Sequence, residues 1–379
     1  MKIIISLFFI FLNHKALCLE IIRDPIFENY FKNLQIDYKI KENDVFLVKS
    51  STLNAFVIEN TIYFTTGIIE NIQHEEVLKS IYFHEAGHVF HNHYKSKKIQ
   101  INSNKKNIFF NNLFSIGAAI FTGNPSIGIA TSLSLDQSLL NKLSTNSINF
   151  EIQADDYMLN MIEKNNISTI QLINFFDKLP DVENDFFKSH PTHKDRIISL
   201  KRFTNNREVE NSKIFEWIKA KYNKNSSISK FNDFFIELDK GKINRDNLDK
   251  LININLIDYE VYKSGLPIKN ISLTYTNLFK INSSPYLKIE FFNYVIDKDQ
   301  KEHFDLIEKY KNNKNIQNEY FFYFLYGKYY NRLGNLNLSN FYFCQFFKMI
   351  KFVDKSNYYC KKYDKKIIPE IDMSYALFK

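Results

Sequence analysis

Apolar residues at Ile26, Phe27, Tyr30, Phe31 and Leu34 recur with helical spacing, and Asp24-Pro25 ahead of them reads as a cap and a first turn. The period then shortens to two. "DVFLVKS" (Asp44 to Ser50) and "AFVIENTIYFTTG" (Ala55 to Gly67) are β-branched and aromatic, so they predict strands, the second a hairpin broken at Glu59-Asn60. From His74 to Tyr94 the helical period returns, with Val77, Leu78, Ile81, His84, Glu85, His88 and Val89 along one face. Glu75 and Glu76 fall in its first turn, where the dipole favours acid. Leu113 to Leu135 carries no charge, but Ser115, Thr122, Asn124, Ser126 and Pro125 interrupt it. Two short buried or interfacial helices broken at "TGNPS" are expected there rather than a spanning helix; they either dip into a membrane surface or lie over a cleft.

Ile148 to Lys164 predicts another helix, with Phe150, Ala154, Met158 and Met161 on one face. A further one runs from Ile170 to Leu179 and halts at Pro180. Past about residue 204 the character changes. "SKIFEWIKAKY", "PYLKIEFFNYVI", "KEHFDLIEKY", "YFFYFLYGKYYNRLG" and "LSNFYFCQFFKMI" are amphipathic segments with short polar joints. The last two flank "LGNLNL" and read as a helical hairpin. The whole predicts an α+β chain: a mainly helical part with a small β-sheet (residues 19–203), then an all-α, repeat-like part (204–379).

Composition changes this picture little. At 379 residues the chain has room for two domains. Scarce Gly and Pro, 9 and 7, fit long helices. The formal charge is +8, with lysines spread along the chain rather than gathered in an arm. A solvated surface is expected, with peripheral membrane contact permitted and no nucleic-acid partner. Met1-Lys2, the apolar run Ile3 to Leu12 and "ALC" at 16–18 read as a signal peptide over residues 1–18; ten apolar residues are too short to span a bilayer. The body is then expected in the periplasm, with a retained N-terminal anchor as the alternative. Cys344 and Cys360 remain, either disulfide-bonded between neighbouring helices or as two buried thiols. No CxxC exists, so a thiolate metal site is not indicated.

"YFHEAGHVFHNHY" (Tyr82 to Tyr94) holds the chemistry. On a helix His84 and His88 lie four apart on one face, so both imidazoles can reach one ion. Glu85 sits beside that ion, where a general base belongs. A catalytic zinc site takes three protein ligands, and Glu151, Asp155, Asp156, His190 and His193 are the candidates downstream. "FEIQAD" sets Glu151 and Asp155 on one helical face, with Ala154 between them small enough for a close approach of helices. Glu151 as the third ligand would give a His2Glu set, and Asp155 could accept the remaining N–H of a ligating imidazole.

With HEAGH at 84–88, "EIQAD" at 151–155 and "HPTHKDR" at 190–196, in that order, the chain resembles the HtpX/CAAX-prenyl-protease family of gluzincin metallopeptidases, and most closely the BepA-like periplasmic proteases. "RDPIFENYFKNL" resembles the family's N-terminal helix, "NAF" and "TTGII" the strand region before its zinc helix, and "HVFHNH" that helix's extension. The likeness covers about residues 23–203. It implies a zincin-type peptidase domain followed by a tetratricopeptide-like repeat domain, with one Zn2+ held by His84, His88 and Glu151 and with Glu85 as base. His190 would approach the metal, either plugging the open position or assisting the transition state, and Arg196 would anchor its loop. His91 and His93 lie past the ligand turn and are expected to be structural. The edge strand formed by Ala55 to Thr66 could take substrate as an added strand. The expected function is an envelope zinc metalloendopeptidase acting on misfolded or stalled outer-membrane polypeptides, its helical part recruiting clients or an assembly machine. A latent-protease chaperone or adaptor is the alternative.

Overall fold

A computed structural model describes residues 20–58, 60–94, 148–178, 198–202, 210–223, 231–245, 248–282, 284–319, 321–350 and 352–364. The leader, Leu113 to Leu135, the 203/204 boundary, His190, His193 and Arg196 lie outside these residues.

Helix α1 (Pro25–Asp37) starts where the Asp24 carboxylate accepts the backbone N–H groups of Ile26 and Phe27, at 2.9 and 3.2 Å. Its apolar face buries Phe27 and Phe31, whose rings lie 6.2 and 5.2 Å from Phe64 of the sheet. Four strands build that sheet, β1 (Glu20–Ile22), β2 (Asp44–Lys49), β3 (Ala55–Ile58) and β4 (Thr61–Thr65), in the order β1-β2-β4-β3. The β3–β4 hairpin is antiparallel, with Phe56 opposite Tyr63, and β4 then runs parallel to β2. Of the two hairpin arms, only β3 is therefore at an edge of the described sheet, β1 forming the other edge. β4 lies inside, which narrows the expected 55–66 edge to its first arm. Register gives the two faces different roles. Leu47, Phe64 and Ala55 turn to the core, while Phe46, Tyr63 and Phe56 form an aromatic row on the opposite face, with ring centroids 6.1 and 5.2 Å apart.

The stretch "TTGII", expected in the strand region, folds as a short helix, α2 (Thr66–Asn71). The Thr65 hydroxyl caps it, accepting from the Ile68 N–H, and ends the strand where β-branched residues alone would have continued it. Helix α3 (Glu75–Phe90) follows and packs along α4 (Ile148–Lys164) and α5 (Ile170–Asp177). Among the described residues no helix is long and apolar enough to cross a membrane.

The C-terminal half is helical: α6 (Lys213–Tyr222), α7 (Asn232–Asp239), α8 (Ile254–Lys263), α9 (Ile271–Ile281), α10 (Pro285–Asp297), α11 (Phe304–Tyr310), α12 (Lys314–Gln317), α13 (Phe322–Arg332), α14 (Leu336–Met349) and α15 (Val353–Cys360). The "LGNLNL" joint turns α13 back onto α14, with Gly334 at φ +74° supplying the left-handed residue after the helix. Cys344 and Cys360 are joined, clipping α15 to α14. Of the two states left open for them, the structure has the disulfide.

This half is fastened to the first through buried polar groups rather than through a bare linker. Lys221 of α6 pairs with Asp24 at 2.9 Å and with Glu260 of α8 at 2.6 Å, and the Tyr222 hydroxyl donates to Asp24 at 2.6 Å. The buried Lys219 ammonium donates to the Ile72 carbonyl and to Gln73, so the turn ahead of α3 is held by α6. Asn211 accepts from the Glu75 N–H at 2.8 Å, and Glu75 in turn accepts from the Ser212 N–H at 2.7 Å. The start of the histidine-bearing helix is thus braced from the C-terminal half.

Candidate metal centre

Two facing helices build the centre. The 3.6-residue period of α3 stacks His84 and His88 one turn apart on the side toward α4, and α4 returns Glu151 from its first turn. All three side chains are buried. His84 Nε2 lies 3.1 Å from His88 Nε2 and 3.2 Å from Glu151 Oε2, and His88 Nε2 lies 3.4 Å from Glu151 Oε1. Among the described residues this is the one group of histidines, cysteines and carboxylates placed to hold a metal ion.

The fit can be tested on those lengths. Ligand bonds of about 2.0–2.1 Å in a tetrahedron set neighbouring donor atoms about 3.3–3.4 Å apart. The observed edges have that size. The donor chemistry agrees. His84 Nδ1 lies 2.8 Å from Asp155 Oδ1. A proton on Nδ1 satisfies that bond and leaves Nε2 as a lone pair turned inward. Two imidazole nitrogens and a carboxylate then converge as acceptors, an arrangement a divalent cation satisfies.

The helices come this close because of two small residues. A Cβ added at Gly87 would lie 2.9 Å from Ala154 Cα and 3.0 Å from the Ala154 carbonyl oxygen. Both obstacles are backbone, so no side chain can swing away. Gly87→Ala is expected to push α4 back, to cost about 1–3 kcal/mol as overpacking does, and to loosen Glu151 from the histidines. Paired thermal melts and metal titrations check this; a variant that melts and binds metal like the parent contradicts it.

Glu85 follows His84 on α3 and is fully buried. It stands outside the three-residue cluster, on the same helical turn. Asp156 is exposed, on the far side of α4 from the cluster. His190, His193 and Arg196 lie outside the described residues.

One expectation needs correction. The helix does not extend to Tyr94. It ends at Phe90, the His91 N–H closing on the Gly87 carbonyl at 3.0 Å, and Asn92 adopts φ +55°. Asparagine tolerates this left-handed conformation. After this break His93 lies against the site. Its ring stacks on Phe150 with centroids 4.3 Å apart, its Nδ1 lies 2.8 Å from His88 Nδ1, and its Nε2 lies 2.7 Å from Gln153 Oε1. Burial holds this imidazole below the ordinary histidine value. Helical periodicity hides the contact, because a five-residue offset on a helix faces elsewhere. The usable signal was Asn92, a residue suited to end the helix between two histidines.

With this geometry in place, comparison with known families is informative. Residues 24–204 match the model of peptidase family M48. The chain therefore carries a zincin-type metallopeptidase domain over that stretch, and the protein is a metallopeptidase, a hydrolase of peptide bonds. No curated protein matches the chain.

Proposed function

We propose that the protein is a zinc-dependent endopeptidase of the cell envelope. The observation that carries the reading is the convergence of His84, His88 and Glu151 at tetrahedral edge lengths, inside the stretch that matches the M48 model. In this reading those three residues hold the ion. When bound, zinc supplies a Lewis acid that polarises the scissile carbonyl and acidifies water. The chain's own groups do the rest. Asp155 fixes the His84 ring and its tautomer. The Glu85 carboxylate takes a proton from water and passes it to the leaving amine. β3, at an edge of the described sheet, would take an extended polypeptide as an added strand, which gives recognition with little dependence on sequence. His190, anchored through Arg196, would act at the open side of the ion.

Two further features support an envelope setting. The leader-like start reads as an export signal, and the Cys344–Cys360 disulfide suits an oxidising compartment. Weak sequence preference suits disposal of misfolded or stalled outer-membrane polypeptides. The paired C-terminal helices support a tetratricopeptide-like role, with clients or an assembly machine as partners.

Digestion of an unfolded polypeptide such as casein tests the activity. Cleavage is expected to stop on chelation and to return with zinc. Cleavage that persists after complete metal removal contradicts the reading.

A further inference from the structure

The two histidines of the cluster are not backed alike. His84 leans on a carboxylate, Asp155. His88 leans on another imidazole, His93, which in turn leans on the amide of Gln153. We propose that His93 and Gln153 form an uncharged positioning relay that sets the tautomer of His88 and presents its Nε2 to the metal. The inference rests on the reading of His84, His88 and Glu151 as the metal ligands.

With the Gln153 carbonyl oxygen facing His93, the donor and acceptor roles run in one direction. The Gln153 carbonyl oxygen can only accept, so His93 Nε2 carries the proton of that 2.7 Å bond. With that one proton on the ring, His93 keeps Nδ1 as an acceptor. The 2.8 Å bond between the two Nδ1 atoms then takes its proton from His88. His88 Nε2 is left without a proton, 3.1 Å from the likewise unprotonated Nε2 of His84. A free His88 ring would divide its proton between the two nitrogens, and the relay removes that choice.

The surroundings fix the relay in place. His93 is buried between two rings, Phe150 at 4.3 Å and His91 at 5.3 Å, and is nearly parallel to both. Gln153 shares α4 with Glu151 and Asp155, so one helix delivers a ligand, the His84 partner and the end of the His88 relay. The result is economical in charge. One imidazole has an anionic partner and the other a neutral one, so the centre carries one negative charge fewer than a pair of carboxylate partners would give it.

The test is a chelator-buffered zinc titration of the full chain and three variants, with melting curves of the metal-free proteins and nitrogen-15 histidine NMR of the loaded parent. His93→Phe keeps the stack on Phe150 and deletes the relay. It is expected to bind zinc about 10–100-fold more weakly, the loss usual for a ligand's hydrogen-bonding partner. Gln153→Leu, at an exposed position, is expected to weaken binding by a smaller factor, whereas Gln153→Glu, which keeps an acceptor but adds a charge, is expected to bind zinc more tightly than Gln153→Leu. The NMR spectrum is expected to show His93 protonated at Nε2. Zinc binding by His93→Phe as tight as the parent's, or a His93 proton on Nδ1, overturns the relay. If metal-free His93→Phe melts well below the parent, Gln153→Leu decides, and unchanged affinity there overturns it. A parent that binds no zinc overturns the metal-site reading and the relay together; a tight parent beside an equally tight His93→Phe overturns the relay alone.

Discussion

Glu85→Gln is expected to lose peptidase activity by about 10²–10⁴-fold, the range general-base catalysis contributes, while keeping its metal. Gln fills nearly the same volume in a fully buried position, so the fold has little to accommodate. The side chain stands beside the three-residue cluster without belonging to it, so metal content should not change. What disappears is the capacity to take up a proton. Activity and metal content measured on one preparation separate this from a simple loss of the site. A variant that cleaves casein at the parental rate removes Glu85 from the mechanism, and one that loses its metal makes it a structural group instead.

The second large effect lies far from the metal. Arg23 joins the two halves of the molecule. Its guanidinium bridges Glu28 of α1, with Nε to Oε1 at 2.7 Å, and Glu319, ahead of α13, with Nη1 to Oε2 at 2.8 Å. The rings of Phe46 and Tyr286 lie 4.5 and 4.4 Å from its centre. Ser284 adds a bond to Glu28 at 2.7 Å. One cation thus serves two largely buried carboxylates. Removing one partner of a buried pair typically costs about 3–5 kcal/mol, and Arg23→Leu leaves both acids facing each other.

The pH dependence follows from Glu28. Burial, reinforced by Glu319, pushes its carboxyl from the ordinary 4.5 to about 7 despite the pull of Arg23. Across that window the folded chain keeps a proton the unfolded chain has released. Stability from this group is full below about 4.5 and falls as pH rises through about 7. Without Arg23 the carboxyl moves higher still, so the fall grows and extends upward. Urea unfolding of Arg23→Leu should show a large deficit against the parent at pH 8 and a smaller one at pH 5. The same deficit at both pH values contradicts this account of the cluster.

What could be read from residues alone follows a physical pattern. The helix over Ile148 to Lys164 matches α4, and Asp24 caps α1, because local period and cap chemistry are written in neighbouring residues. Glu151 meets His84 and His88 because a turn-spaced motif fixes which face of each helix carries which group. The order of the sheet was not legible. Period two marks strands, but nothing in "DVFLVKS" says that it lies parallel to β4 with β3 outside. The His93 relay was hidden for a related reason, since it depends on one left-handed backbone angle at Asn92 that breaks the helical period. Nor do lone charges such as Arg23, Lys219 and Lys221 announce partners scores to hundreds of residues away.

These ties bear on the site itself. α3 carries the histidines, its first turn is held by Asn211, Ser212 and Lys219 through Glu75 and the preceding turn, and its last turn presses on Ala154 through Gly87. The position of the imidazoles is therefore set from both ends of their helix.

The central claim is that His84, His88 and Glu151 grip one divalent ion. Anomalous diffraction from zinc-loaded crystals tests it most directly. One peak is expected between α3 and α4, about 2.0–2.1 Å from both Nε2 atoms and from a Glu151 oxygen. A peak elsewhere, or none between those three side chains in fully loaded protein, contradicts the account.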